Sequence, residues 1–194
     1  MSTITRESLM TLEAYAKARP EFREKAMAHK KLRKVFVGDH VVLQFEDELT
    51  IRYQIQEMLR VEKTFEEQGI IDELEAYNPL VPDGDNWKAT QSIEYADEAE
   101  RRKKLVELKS IEHKTYVQVD GFDRVYAIAD EDMPRENSEK TSAVHFLRFQ
   151  LNPAMIAAVK AGKAIGVGID HPAYSVHLPE IAPEIQASLT QDLA

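Results

Sequence analysis

The chain has 194 residues, of which 43% are hydrophobic and 30% charged, so it can form one domain with an ordinary core and a well-solvated surface. Its formal net charge of −9 argues against nucleic acid or an anionic membrane as the main partner. Because the chain contains no cysteine, disulfides, iron–sulfur ligation, a thiolate nucleophile and cysteine-ligated zinc are excluded.

The N-terminal sequence, MSTITRESLM, lacks the apolar stretch of a signal peptide. No apolar run along the chain approaches the roughly 20 residues that a membrane-spanning helix needs. We therefore expect a cytoplasmic protein that has neither a membrane nor a nucleic acid as its partner.

Residues 1–34 are predicted to form a helical N-terminal segment. Thr3 or Thr5 is a suitable N-cap for a first helix. Pro20 is expected to begin a second helix that runs to about Lys31, because proline fits best in a first helical turn. The stretch Arg23–Lys34 is locally basic, which is typical of a solvated face and is also compatible with an acidic partner.

Residues 35–194 are predicted to form a sheet and the helices that pack on it. Two short strands, Val35–Val37 and Val41–Phe45, flank the turn signal Gly38-Asp39. They lead into an amphipathic helix, Leu49–Phe65, which we expect to pack against the centre of the sheet.

This helix carries an anomaly in its apolar stripe, because Glu62 has the spacing to lie on the stripe. A carboxylate that faces a core must be paired, protonated or bound to a ligand. One interpretation is a structural ion pair between Glu62 and an arginine, or a position of Glu62 at the edge of the stripe, and the other is a polar pocket beneath the sheet. The side chains of that pocket would be Arg52, Gln56 and Arg60, which bind the ligand, and the carboxylates Glu57 and Glu62.

The rest of the chain alternates between strand and helix patterns. The predicted elements are a helix over 66–77, a loop over 78–86, a strand over 88–95, a helix over 97–108, a hairpin of 115–119 and 124–129, a central strand over 141–151, a helix over 153–162, a strand over 165–169 and a helix over 180–193. Trp87, the only tryptophan, is expected to anchor the loop in the core, with a pocket rim as the alternative.

Two histidines are candidate functional groups. His145 has apolar neighbours on its strand, so it is either a hydrogen-bonded core residue or a ligand or acid–base group. His171 follows a strand in the sequence Asp170-His171-Pro172, which is either a turn or a functional loop. The catalytic candidates are Glu57, Glu62, His145 and His171, and the metal-ligand candidates are Glu57, Glu62 and His145.

Carboxylate and imidazole donors together suit iron or manganese. The glycines spell neither a dinucleotide fingerprint nor a phosphate loop, and no His-x-x-x-His pair is present. The sequence therefore gives no support for NAD, ATP, haem or cysteine-ligated zinc.

Five segments together resemble the bacterial family of unknown function DUF3501. They are TIRYQIQEMLRVE, AYNPLVPDGDNWKAT, VYAIADED, KTSAVHFLRF and GIDHPAY, and they span nearly the whole chain. The resemblance implies a single compact bacterial domain and carries over no catalytic residue. It also implies an accessory role in iron- or peroxide-related redox metabolism, with a redox protein as partner.

We predict one α+β domain over residues 1–194, with a mostly antiparallel or mixed sheet of about six or seven strands. Three functional hypotheses follow. The first is an accessory protein whose pocket on the Leu49–Phe65 helix, together with His145, binds a small anionic molecule or a metal. The second is an enzyme with Glu57 or Glu62 as base and a histidine as acid. The third is an interaction subunit that docks through Arg23–Lys34 or the Trp87 loop.

Overall fold

The computed structural model describes residues 3–194, and over that range the chain has the predicted α+β fold. The helices are α1 (Leu12–Lys31), α2 (Glu48–Glu62), α3 (Glu67–Tyr77), α4 (Glu98–Glu107), α5 (Pro153–Lys160) and α6 (Pro183–Thr190). Short 3-10 turns lie at Arg6–Ser8, Asn78–Leu80 and Ile111–Lys114. The strands are β1 (Lys34–Phe36), β2 (Val41–Glu46), β3 (Asn86–Ile93), β4 (Thr115–Val119), β5 (Val125–Tyr126), β6 (Ile128–Ala129), β7 (Val144–Gln150), β8 (Ile165–His171) and β9 (Tyr174–Leu178).

The strands form two sheets, not the single sheet that the sequence predicted. The five-stranded sheet has the order β1-β2-β3-β7-β6, and the four-stranded sheet has the order β5-β4-β8-β9. Every pairing among the described strands is antiparallel. The chain changes sheets at the buried Ala127, because β5 pairs with β4 whereas β6 pairs with β7.

The main core lies between the inner faces of the two sheets. Alternate residues of β3 and β7 point inward, so Trp87, Ala89, Leu147 and Phe149 are buried with residues of β4 and β8. The intervening residues of both strands form the outer face of the five-stranded sheet. Two polar residues, Gln91 and His145, also belong to the inner face and are completely buried.

The N-terminal helices form a second, smaller core. Helix α1 runs without a break through Pro20, so the prediction of two helices is wrong, and its N-cap is Thr11. The buried side of α2 contributes Ile51, Ile55 and Leu59 to this core, which α2 shares mainly with α3 and the N-terminal segment. The predicted packing of α2 on the centre of the sheet is therefore only a minor part of its environment.

The C-terminal helix closes the main core. The indole Nε1 of Trp87 donates a hydrogen bond of 2.9 Å to the carbonyl of Leu189, as befits a core anchor. Arg33 is buried beneath this helix, where its guanidinium donates to the Asp192 carboxylate at 2.5 Å and to the backbone carbonyls of Phe45 and Ser188. Arg33 therefore links the segment that follows α1 to the C-terminal segment of the chain.

None of the helices in residues 3–194 combines the length and the apolar character that crossing a bilayer requires.

Candidate functional site

The structure gives Glu57 on α2 a set of partners from α1. Its carboxylate accepts hydrogen bonds from Arg19 at 2.7 and 3.0 Å and from the Tyr15 hydroxyl at 2.7 Å. The hydrogen bonds from Arg19 lower the pKa of Glu57 to about 2, against a smaller opposing effect of burial. Glu57 therefore ties α2 to α1 as an ionised carboxylate.

The other residues of the predicted α2 pocket contact neighbours near their own helix or face solvent. Glu62 is exposed, so the prediction that it faces the core is wrong. Gln56 is buried and accepts a hydrogen bond of 2.7 Å from the backbone N–H of Met10. Arg52 is paired with Glu48 on its own helix.

The Arg60 side chain is 40% exposed and lies 3.6 Å from the Glu57 carboxylate. The ligand-binding role of Arg52, Gln56 and Arg60 stays a prediction, and the structure gives these side chains neighbours within the helical core.

His171 is buried at the turn between β8 and β9, where its Nε2 contacts the carbonyl of Lys109 at 2.9 Å and its Nδ1 accepts from the N–H of Ala173. Both ring nitrogens of His171 are therefore occupied by contacts with backbone groups.

His145 lies in a buried polar cluster between the two sheets. Its Nδ1 is 2.6 Å from Asp130 Oδ2, and its Nε2 is 2.9 Å from Thr141 Oγ1 and 3.6 Å from Glu112 Oε2. Glu112 belongs to the 3-10 turn before β4, and Asp130 follows β6 in a left-handed conformation with φ +52°. One ligand atom each from Glu112, Asp130 and His145 lies within 4.8 Å of the others.

One polar atom in this region has no partner among the described residues. Gln91 is directly opposite His145 in the pairing of β3 with β7, so the two side chains leave the sheet side by side on its inner face. Its Oε1 accepts a 2.6 Å hydrogen bond from Thr115 Oγ1, whereas its Nε2 is buried without a hydrogen bond. A buried donor in that state costs on the order of 1–3 kcal/mol, so it marks a place where a ligand or water would be stabilised.

A second candidate site is a cavity of about 910 Å³ on the outer face of the five-stranded sheet. Its floor is formed by Phe146 and Arg148 of β7 with Lys88 of β3. One wall is the end of α3 with the turn and loop that follow, and the opposite wall is the segment 131–135. The volume lies within the roughly 300–1,000 Å³ that small-molecule sites occupy.

The basic side chains of the cavity are already neutralised by carboxylates in its walls. Arg148 binds Glu131 through two hydrogen bonds of 2.9 and 2.7 Å, and Arg135 binds Asp132 through two of 2.5 and 2.7 Å. Lys88 lies 3.4 Å from a third carboxylate, Asp83. An anionic ligand would have to displace these carboxylates from their bases.

Further carboxylates in the lining have no such partner. Among the described residues, no basic side chain lies within ion-pair distance of Glu73, Glu75 or Asp85. Burial, assisted by repulsion from Glu62 and Asp72, raises the pKa of Glu73 above its usual value. A positive charge in the cavity would relieve that repulsion.

The cavity and the buried cluster are joined by Asp130. Its Oδ1 lies 3.3 Å from Arg135, which lines the cavity and places its guanidinium 4.5 Å from the centre of the Phe146 ring. Its Oδ2 contacts His145 on the other side of the strand. Of the single residues that the sequence singled out as catalytic, ligand-binding or metal-binding candidates, only His145 lies in these two sites, because no spacing pattern links it to Glu112 or Asp130. The loop over 78–86, for which a pocket rim was the alternative, contributes Pro79, Asp83 and Asp85 to the lining of the cavity.

The comparisons with known proteins identify a family without an assigned activity. A family model described as "Protein of unknown function (DUF3501)" matches residues 3–193. A crystal structure of a novel protein of unknown function from Burkholderia pseudomallei K96243 is 55% identical, with a TM-score of 0.95 and full coverage of both chains. No curated protein matches the chain.

Proposed function

Because the chain belongs to the DUF3501 family, whose function is not known, we propose from the geometry of its cavity that it is a small-molecule-binding protein for organic cations. The observation that carries this proposal is that the lining of the 910 Å³ cavity contains more carboxylates than basic side chains, and the basic side chains are already paired. The lining contains six carboxylates, Glu73, Glu75, Asp83, Asp85, Glu131 and Asp132, against three bases, Lys88, Arg135 and Arg148.

The apolar part of the lining defines the remainder of the ligand. Tyr77, Leu80, Met133 and Phe146 supply aromatic and aliphatic surface beside the carboxylates. An amine with an aromatic or aliphatic body would place its charge near Glu73 and bury its hydrocarbon against these side chains. Because the pKa of Glu73 is raised, the carboxylate becomes fully ionised only at higher pH, so affinity for a cation should increase with pH.

The experiment compares three probes that share one apolar body: 2-phenylethylamine, 2-phenylethanol and phenylacetate. Binding is followed by chemical-shift changes in amide NMR spectra and by calorimetric titration. We expect the amine to bind most tightly and to shift the amides around Phe146. Equal or tighter binding of phenylacetate, or the absence of saturable shifts at the cavity, would refute the proposal.

Two substitutions locate the binding site. Glu73→Gln should weaken amine binding about fivefold, which corresponds to the loss of ~1 kcal/mol from one partly screened charge pair. Ala76 is exposed on α3 and lines the cavity, so Ala76→Trp should block the amine without loss of folding stability. The matched control is Glu184→Gln on α6, an exposed carboxylate outside the cavity lining, which should leave affinity unchanged.

The iron- or peroxide-linked accessory role and the acid–base enzyme stay predictions beside this proposal. The first was implied by family resemblance, and the second was built on Glu57, Glu62, His145 and His171. A role as a protein-interaction subunit likewise stays a prediction.

A further inference from the structure

We propose that the buried cluster around His145 is a binding site for one divalent first-row transition-metal ion. The ligands would be His145 Nε2, Glu112 Oε2 and Thr141 Oγ1. The site is separate from the cavity, because His145 lies on the inner face of the five-stranded sheet and the cavity lies on its outer face. Its test uses metal ions alone and does not depend on the cation-binding proposal.

The spacing of the three donor atoms carries the proposal. Nε2 of His145 lies 2.9 Å from Thr141 Oγ1 and 3.6 Å from Glu112 Oε2, and the two oxygens are 3.3 Å apart. For these three separations, an ion can lie roughly 2.1 Å from every atom, the usual metal–ligand distance for nitrogen and oxygen.

Asp130 holds the imidazole in the orientation that such a site requires. Its Oδ2 lies 2.6 Å from Nδ1, so the ring nitrogen that does not face Glu112 is fixed by a carboxylate. Metal-binding histidines commonly donate their second N–H to a carboxylate in this way. Asp130 is held in turn by the N–H of Phe146 at 3.0 Å and by Arg135 at 3.3 Å, so it is a positioning residue.

The unpartnered amide of Gln91 is the independent sign that this region is built for a ligand. The residue is completely buried, and its pairing with His145 places its side chain beside the imidazole. The hydrogen bond to Thr115 directs the amide toward the turn that carries Glu112, since Thr115 Oγ1 also bonds to Ile111 O. If the amide rotates by a half-turn, Nε2 can donate a hydrogen bond to Thr115 Oγ1. The carbonyl oxygen then takes the position without a hydrogen-bond partner and can serve as a further metal ligand.

The donor types select the class of ion. One imidazole with carboxylate and hydroxyl oxygens suits manganese, iron or zinc, whereas calcium and magnesium prefer oxygen alone. Two carboxylates, Glu112 and Asp130, lie in the cluster, and Arg135 neutralises part of the charge of Asp130. A divalent ion would therefore balance negative charge that is otherwise buried.

The experiment titrates chelator-treated, full-length protein with zinc and, separately, with manganese. Calorimetry gives the stoichiometry and the affinity. We expect one ion per chain and zinc-induced shifts of the His145 ring resonances. Because this spectrum is recorded on the unmodified chain, it tests the proposal even if a variant fails to fold.

Substitutions then assign the ligands. Glu112→Gln should weaken zinc binding at least tenfold, and Asp130→Asn should weaken it by roughly 10–100-fold through loss of ring orientation. The control is Glu62→Gln, an exposed carboxylate, which should leave affinity unchanged. The proposal is overturned if no saturable one-to-one binding occurs, if the His145 resonances do not move, or if binding persists in Glu112→Gln, which would indicate surface carboxylates.

Discussion

Replacing Glu57 by glutamine tests whether the most perturbed carboxylate on α2 stabilises the fold. The amide keeps an acceptor for Tyr15 and Arg19, so the change removes mainly the charge. The pKa of Glu57 is lowered from 4.5 to about 2, chiefly by Arg19. Each tenfold change in proton affinity is worth about 1.4 kcal/mol, so this lowering corresponds to at most about 3 kcal/mol. Because the Arg19 side chain is 31% exposed, we expect a loss of about 2 kcal/mol at pH 7.

The sign of the pH dependence follows from the direction of the shift. A lowered pKa means that the unfolded chain binds the proton more tightly, so the stabilisation by Glu57 is present above pH 4.5 and is lost as the pH falls toward 2. The difference between Glu57→Gln and the parent protein should therefore shrink in acid.

Urea unfolding followed by tryptophan fluorescence measures both effects, because the single tryptophan, Trp87, is completely buried. Glu62→Gln is the matched control on the same helix, and it should change the free energy of unfolding by less than about 0.5 kcal/mol. The reasoning fails if Glu57→Gln is as stable as this control at pH 7. It also fails if the loss is undiminished at about pH 2.5.

Two further substitutions test the packing. Arg33→Met leaves the buried Asp192 without its cation and should lower the free energy of unfolding in urea by about 3 kcal/mol. Because burial raises the pKa of Asp192 to about 6, this loss should be largest above that pH. An unchanged stability would contradict the ion pair. Gly168→Ala directs a methyl group into the Tyr116 ring and to 2.8 Å from Val176 O, so the melting temperature should fall with a loss of about 1–3 kcal/mol, and an unshifted melt would show that β4 and β9 yield there.

Period-two spacing shows which residues of these strands share a face. Along β3, Gln91 shares a face with Ala89, and along β7, His145 shares a face with Leu147; the structure buries both of these faces. In a strand, the direction of one side chain fixes the direction of every second side chain, so the residues that share a face can be read from a single sequence. Strand β9 was not predicted, although its apolar and polar residues alternate, and its side chains are only partly buried.

The end of α2 shows where helical spacing fails. Glu62 and Phe65 continue the apolar stripe, but α2 ends at Glu62, and Lys63 adopts a left-handed conformation with φ +55°. Both side chains are exposed. The prediction failed because the spacing alone does not show where α1 and α3 stop covering the helix. The cluster of Glu112 with His145 was beyond prediction for a related reason, since it depends on how a turn of one sheet meets a strand of the other.

The environment of Arg33 has a consequence for the order in which the protein is completed. The acceptors of this guanidinium include the carbonyls of Phe45 and Glu46 nearby, whereas Asp192 lies 159 positions away. A polypeptide emerging from the ribosome has Asp47, 3.5 Å from Arg33 Nε, as an early carboxylate neighbour, but it cannot form the pair with Asp192 until the residues after α6 have been synthesised. The first hairpin and the helix before it are therefore synthesised first, but their contact with Asp192 forms last. Nascent chains shorter than about 190 residues should consequently remain sensitive to proteases.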